Sequence, residues 1–454
     1  MSTAIEALRV ILKHMFLQAI KAVDPVGLMR AHVKLNGELI QIGSLSIDPD
    51  RCGRIVVIGT GKASAAMAAG LEAALEALGD KGKLLLSKLT GVINVPDGIT
   101  AQCSKIEIVN VRPQGSNAPT DRVLAATQRQ IETICTLGPD DLLIDLISGG
   151  GSATRELLCD GLSLEDLDFV RNALQANGMG IVQLNAIRKH CSRVKGGIMS
   201  QWTKAGSVLA LILSDVVGDP LESIASGPWA GNTFSPQDAL EILQGAGIIS
   251  GRVYQYILNL KRSPWQKVVP DRRVRHEIIG RNEVALNALR DQLTSYCGYQ
   301  AVLSGSDNEG SALDVGAALY LDSLLDEPGT VFLYGGETKV TVNRSCDGSG
   351  GRCQTMVLSA LKEAWENGLG DMVIFAFGTD GEDGPTDAAG AMIDQEILLE
   401  AKAKGVTLAD VEQALRDSNE YPLLSKIGAL IKTGQTGTNV YDIWGILHVK
   451  PAGI

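Results

Sequence analysis

Aromatic residues are scarce in this chain, 4% of 454 residues, so any core has to be assembled mainly from Leu, Ile, Val and Ala. Long apolar runs are missing as well: nothing approaches the ~20 residues of a membrane-spanning helix. The eight cysteines are scattered, without a CxxC pair and without a histidine beside the two nearest each other. That excludes a zinc framework or a disulfide scaffold and points to reduced thiols in a cytosolic-type protein. Positive charge is not in excess either. A net charge of −11 argues against broad nucleic-acid or anionic-membrane binding, while leaving room for a local basic pocket. The opening "MSTAIEALRVILKHMFLQAIKAV" lacks the unbroken apolar core of a secretory signal, and its spacing predicts an amphipathic surface helix. A cytoplasmic location follows, with an organelle address left open.

What is abundant is glycine, 51 residues, much of it in short loops that follow apolar runs. A chain of this length exceeds one ordinary core, so two domains are expected. "RIVVIG" (54–59), "KIEIVNV" (105–111), "DLLIDLIS" (141–148) and "SVLALILSD" (207–215) are apolar throughout and alternate with helical stretches. They read as parallel strands covered on both faces. One helix start, "LSLEDLDF", spaces Ser163 and Asp166 as a capping box. Between 229 and 273, in "WAGNTFSPQDALEILQGAG" and "KRSPWQKVVPDRR", prolines and polar residues mark a domain junction. Strands and helices resume with "VRHEIIG" and "QAVLSG". "TVFLYGGETKVTV" is expected to form a hairpin turning at Gly335-Gly336; then come a helix from Cys353, the strand "MVIFAF" and a helical tail.

In open α/β sheets, ligands bind outside the carboxyl ends of strands, and five such places carry unusual chemistry. In "VVIGTGKASAAMAAG", Ser64 replaces the third glycine of a dinucleotide fingerprint. What remains is Gly61 and Lys62 at a strand–helix turn, fit for a phosphate or simply a tight turn with a solvated lysine. "LISGGGSA" offers Gly149, Gly150 and Gly151 flanked by Ser148 and Ser152, a nest for an anion. "LNAIRKHCSRVKGG" concentrates Arg188, Lys189, Arg193 and Lys195, either a solvated helix face or an anion attractor. "LSDVVGDPLESIASGP" sets Asp215 and Asp219 around a glycine turn. In "GSGGRCQ", Arg352 emerges at a helix start, where the helix dipole opposes a cation; a bound anion would relieve the conflict. "FGTDGEDGPTDAAGA" crowds four carboxylates after a strand, open to a metal ion, an electropositive substrate or a plain turn. Asp380 and Asp383 there suit magnesium shared with substrate phosphates better than a calcium cage. Amide nests, Lys62, Arg352 and separate carboxylates are the parts of phosphoryl transfer.

Taken in order, "GTGKAS", "SGGGSA", "RKHCSRVKGG", "LSDVVGDPLESIASGP", "GGETKVTV…GGRCQ", "GTDGEDGPTDAAGA" and "TGQTGTNV" closely resemble the MOFRL-type glycerate 2-kinase family, from about residue 5 to the end. The resemblance implies ATP-dependent phosphorylation of D-glycerate to 2-phosphoglycerate with Mg²⁺ or another divalent cation. It implies catalytic roles for Lys62, Asp215, Arg352 and Asp380, and extends the substrate-binding set to Glu337, Thr436 and Asn439. It also implies two α/β domains, a Rossmann-like one with a mostly parallel sheet at 1–240 and a smaller mixed one at 241–454, with the active site in the cleft between them. The last ~20 residues are expected to fold back on the first domain. Small molecules, ATP and D-glycerate, are the expected partners, with no nucleic acid or membrane, in a monomer or homodimer. Where the family has GGRNQ and SGPT, this chain has Cys353 and Trp229, both expected to reshape the acceptor pocket. Two rivals stand beside the kinase: a nicotinamide-dependent hydroxypyruvate reductase, and a sugar-acid or nucleotide sensor without turnover.

Overall fold

The computed structural model describes residues 2–115, 118–262, 271–324, 327–342 and 347–450. Ser116 and Asn117 of "GSNAPTD", and 263–270 of the basic junction segment, lie outside them. The chain divides into two compact units, residues 25–279 and residues 280–454 together with the first 24. The division differs from a 240/241 boundary at both ends of the first unit. The helices Pro236–Gly245 and Arg252–Arg262 bury Leu240, Leu243, Val253 and Ile257 against Leu167, Val170 and Ile187, so they belong to the core that precedes them. The opening helix Ser2–Lys21 belongs instead with the C-terminal residues. Its Phe16 ring lies 4.4 Å from Phe377 and 4.9 Å from Phe375. Arg9 pairs with Asp394 at 3.0 Å and Glu396 at 2.6 Å, and its buried face, Leu12, Phe16 and Ala19, is core.

In the unit 25–279, a small antiparallel sheet, β1 (Val33–Asn36), β2 (Leu39–Ile42) and β3 (Leu45–Ile47), precedes the main one. The main sheet comprises β4 (Ile55–Thr60), β5 (Leu89–Pro96), β6 (Ile106–Arg112), β7 (Leu142–Ile147), β8 (Ser207–Leu213) and β9 (Val274–Gly280). Its order is β6-β5-β4-β7-β8-β9, with β4 to β8 mutually parallel. That is the order of a doubly wound sheet, whose direction of winding reverses between β4 and β7. Both of those strands are buried along their whole length, as unbroken apolar runs require. The capping box of Ser163 and Asp166 forms as spaced.

The other unit is built on a mixed sheet of β10 (Gln300–Leu303), β11 (Asn308–Ser311), β12 (Thr330–Lys339), β13 (Met372–Gly378), β14 (Gly390–Asp394), β15 (Leu430–Ile431) and β16 (Asp442–His448). Gly335-Gly336 makes no hairpin. β12 runs straight through it, pairing Gly335 with Ile443 and Gly336 with Asp442. The glycines are there for close approach: a Cβ on Gly335 would strike the Asn282 carboxamide, and one on Gly336 the Asn308 backbone. The tail after β14 is helical over Gln395–Ala403, Leu408–Arg416 and Glu420–Lys426, as expected, but it ends in a strand. β16 lies wholly buried between β12 and β13, antiparallel to both. Among the described residues, no helix is long and apolar enough to cross a membrane.

Asp145 is the one charged residue in the six of β7 and is fully buried. Arg155 clasps it with two hydrogen bonds of 2.6 and 2.7 Å, and the Trp229 indole N–H adds a third at 2.6 Å. Trp229 is thus a core residue, packed with Val56, Ile58 and Ile212, and not the pocket wall expected of it. Removing Arg155 strands a carboxylate in the core. Arg155→Met is expected to lower unfolding free energy by about 3–5 kcal/mol in urea melts, and Trp229→Phe by about 1–3 kcal/mol.

Candidate active site

At the winding reversal of the 25–279 unit, the loops after β4 and β7 are bonded to each other. The Lys62 N–H donates to the Gly149 carbonyl at 2.9 Å, and the Ala63 N–H to Ser148 Oγ at 3.0 Å. Gly61 has φ +110°, and a Cβ there would overlap the Ser148 carbonyl, so only glycine lets the loops meet. The Lys62 side chain stands exposed at this junction. Asp215, just beyond β8, lies so close to Gly149 that a side chain at 149 would collide with its carboxylate. Lys62, Gly149 and Asp215 therefore share one corner of the sheet. Gly150 is left-handed at φ +77°, and Gly151 faces Ala225. Ser152 Oγ lies 2.8 Å from Ser226 Oγ, which donates to Asn185 Oδ1 at 3.1 Å.

The segment "LSDVVGDPLESIASGP" is no plain turn. Asp219, Ala225 and Ser226 adopt φ of +52°, +50° and +61°, conformations uncommon for non-glycine residues and enriched at functional sites. The basic run is no solvated face either: helix Ile181–Cys191 buries Arg188, Lys189 and His190. Lys195 is committed internally. Its ammonium donates to the Ser152 and Arg155 carbonyls at 3.0 and 2.9 Å and to Glu156 at 2.7 Å. Burial pushes its pKa down to about 8 against the pull of Glu156. With its donors so engaged, it ties down the 152–156 turn and is not placed as a phosphate ligand.

In the other unit, Arg352 opens helix Arg352–Glu363. Its unfavourable place in the dipole is relieved by carboxylates of the protein itself. Arg352 pairs with Glu337, and its Nε and Nη2 reach the two Asp442 oxygens at 3.0 and 3.1 Å. Burial opposes its charge, but Asp442 and Glu337 outweigh it and raise the guanidinium pKa. Burial holds Asp442 up at about 7, with Arg352 pulling it down and Asp383 pushing it further up. Asp383 accepts the N–H groups of Cys353 and Gln354 at 3.1 and 2.8 Å, so it caps the helix. That leaves Asp380 and Glu382, not Asp383, as the hard oxygen donors facing outward. A cleft of about 700 Å³ is lined by Glu337, Gly351, Arg352, Asp380, Glu382 and Glu420, among others. Among the described residues, no group of three or more His, Cys, Asp or Glu is arranged as a metal cage. One or two carboxylates with substrate phosphates still suit magnesium.

Cys353 is buried in the helix core with its thiol pushed up by burial, so it shapes no pocket. Thr436 Oγ1 donates to the Thr379 carbonyl at 2.6 Å, and the Asn439 carboxamide oxygen accepts from the Tyr441 N–H at 3.1 Å; both fix the loop beside Asp380. Sequence reasoning missed Arg112, whose guanidinium lies against Gly150, along with Asp442 and Glu420. Asp442 announced itself faintly as the carboxylate preceding the apolar "IWGILH". Glu420, in "SNEYP", resembles any helix start.

Glu420 is 1% exposed and accepts from Thr355 Oγ1 at 2.8 Å. Burial raises its pKa from 4.5 to about 7. A raised carboxyl contributes stability that is complete below its unfolded pKa and gone above its folded one. Relative to Glu420→Gln, the wild type should therefore lose on the order of 3 kcal/mol between about pH 4.5 and pH 7, and then stay level. Urea midpoints measured across that range check it.

The sequence matches two family models: residues 11–258 that of a domain of unknown function, DUF4147, and residues 330–442 that of the MOFRL family. It is 33% identical to the glycerate 2-kinase of Pyrococcus horikoshii, covering 94% of each chain. It is 35% identical to a putative hydroxypyruvate reductase of Agrobacterium vitis, covering 87% of this chain and 99% of that one. A crystal structure of the glycerate kinase of Thermotoga maritima superposes with a TM-score of 0.81 at 30% identity, over 98% of this chain and 100% of that one. With both parts of the chain matched and such relatives aligned nearly end to end, the chain belongs to the DUF4147–MOFRL family of glycerate kinases.

Proposed function

We propose that this chain transfers the γ-phosphoryl group of ATP to the 2-hydroxyl of D-glycerate, giving 2-phospho-D-glycerate. The observation that carries the reading is the corner formed by Lys62, Gly149 and Asp215. The backbone of an exposed lysine, bare glycine backbone and a half-buried aspartate meet there at the end of a doubly wound sheet. Asp215 orients the acceptor hydroxyl and takes its proton. Lys62 neutralises charge that gathers on the transferring group, and Arg352 is a preoriented cation for the charge that shifts onto the nucleotide phosphates as the bond breaks. Glu337 and Asp442 keep the Arg352 fork in one orientation, so little reorganisation accompanies the reaction. Asp380, with Glu382 beside it in the cleft, would hold Mg²⁺ together with nucleotide phosphates; when bound, the ion supplies charge neutralisation at those phosphates.

The name of the Agrobacterium relative keeps a reductase in view. Against it, Ser64 occupies the position where a dinucleotide fingerprint needs its third glycine, and its buried hydroxyl donates to the Gly61 carbonyl at 2.7 Å. The deciding measurement is paired: ADP release with ATP and D-glycerate, and NADH or NADPH oxidation with hydroxypyruvate. ADP release whose product enolase converts directly to phosphoenolpyruvate is expected; nicotinamide oxidation without ATP use would overturn the proposal. EDTA should abolish ADP release, and Asp380→Asn should raise the Mg²⁺ concentration needed for half-maximal rate. Arg352→Lys retains the charge but loses the fork. It should lower kcat roughly 100-fold or more while leaving the KM for ATP within about 3-fold.

A further inference from the structure

Arg188 stands out among the charged residues of the 25–279 unit. It is 6% exposed, yet among the described residues no hydrogen bond or ion pair engages its guanidinium. Its neighbours are known from their effect on its charge, chiefly Glu156, and from its own effect on Lys195. Both neighbours are bonded into the 152–156 turn. One turn earlier on the same helix face, Asn185 accepts from Ser226, which in turn meets Ser152. The Asn185–Arg188 face therefore looks onto the end of the glycine loop.

The charge balance there is uneven. Arg155 is matched by Asp145, Lys195 by Glu156, and Arg171 by Asp168, the other two charged groups that act on Arg188. Glu156 is already engaged by Lys195, Ser192 and the Leu157 N–H, which leaves the Arg188 charge buried in excess. A guanidinium so largely withdrawn from water, whose nitrogens keep some access but have no protein acceptor, is stabilised when an anion completes it. Its planar fork suits a carboxylate in particular.

We propose that Arg188 is the receptor for the carboxylate of the acceptor acid. Chemistry supplies the link to Asp215. In a 2-hydroxy acid, the reacting hydroxyl is one carbon from the carboxylate, so base and receptor have to flank the same few ångströms of backbone. Asp215 abuts Gly149, while the Ser152–Ser226–Asn185 chain leads from the other end of the loop to the Arg188 helix. The loop of residues 149–151 then serves the acid rather than the nucleotide. This inference rests on the kinase reading for the reaction but not for the ligand.

Arg188→Gln is measured against the wild type with D-glycerate and with D-glyceramide, which replaces the carboxylate by a neutral amide. Loss of a charge-assisted contact should raise the KM for D-glycerate roughly 10- to 100-fold, with kcat within about 3-fold and the KM for ATP unchanged. D-glyceramide should behave alike in both proteins. Arg188→Lys should fall between. A KM shift below about 3-fold, or undiminished preference for acid over amide, would overturn the assignment. Because the residue is buried, melting temperature is followed too. Removing an uncompensated charge should leave it level or higher; a fall of more than about 5 °C with unchanged KM would make Arg188 a structural cation. If the wild type phosphorylates no acid at all, calorimetric titration still decides. D-glycerate binding by the wild type and not by Arg188→Gln upholds the receptor, and equal binding or none by both rejects it.

Discussion

At Gly149 the missing side chain lets the Asp215 carboxylate lie against the backbone, and the other unit repeats the device. Asp383 occupies the space a Cβ of Gly351 would fill, and Glu420 that of Gly350. Each contact brings an acidic group to a spot no other residue type would admit. Arg352 depends on this directly. Asp383 can cap the helix through the Cys353 and Gln354 N–H groups only because Gly351 leaves it room. The capped helix then presents Arg352 toward Glu337 and Asp442.

Cations are handled in two ways, and the difference separates scaffold from candidate chemistry. Lys195 and Arg155 are enclosed by acceptors and hold the 152–156 turn and the centre of the sheet. Arg352 is paired but remains about one-third exposed and lines a cleft, which fits a group fixed in advance for a charge that appears only during reaction. Lys62 is held by its backbone alone, so its side chain keeps its reach.

The backbone strain is placed to match. Asp219, Ala225 and Ser226 are left-handed in the loop after β8, while β4, β7 and β8 beneath it are regular and buried. Rigid strands over-determine the loop and keep it in conformations it would leave if it were free.

The sequence by itself settled the fold class, the parallel strands β4, β6, β7 and β8 and the capping box at Ser163, but left β5 (Leu89–Pro96) unread. Those signals are local: buried strands must be apolar, and glycine must stand where loops touch. It misjudged Gly335-Gly336, because a glycine needed for close approach reads the same as one needed for a turn. It also misplaced both termini, since nothing in "DIWGILH" says that it will enter the middle of a sheet begun far earlier in the chain, at Gln300. Partners of charged groups were the least legible feature. Asp383 looked like a metal ligand and Lys195 like a phosphate ligand until the fold showed which donors and acceptors surround them. Only tertiary structure decided that, because whether a charge is spent on the protein or kept for a ligand depends on groups distant in sequence.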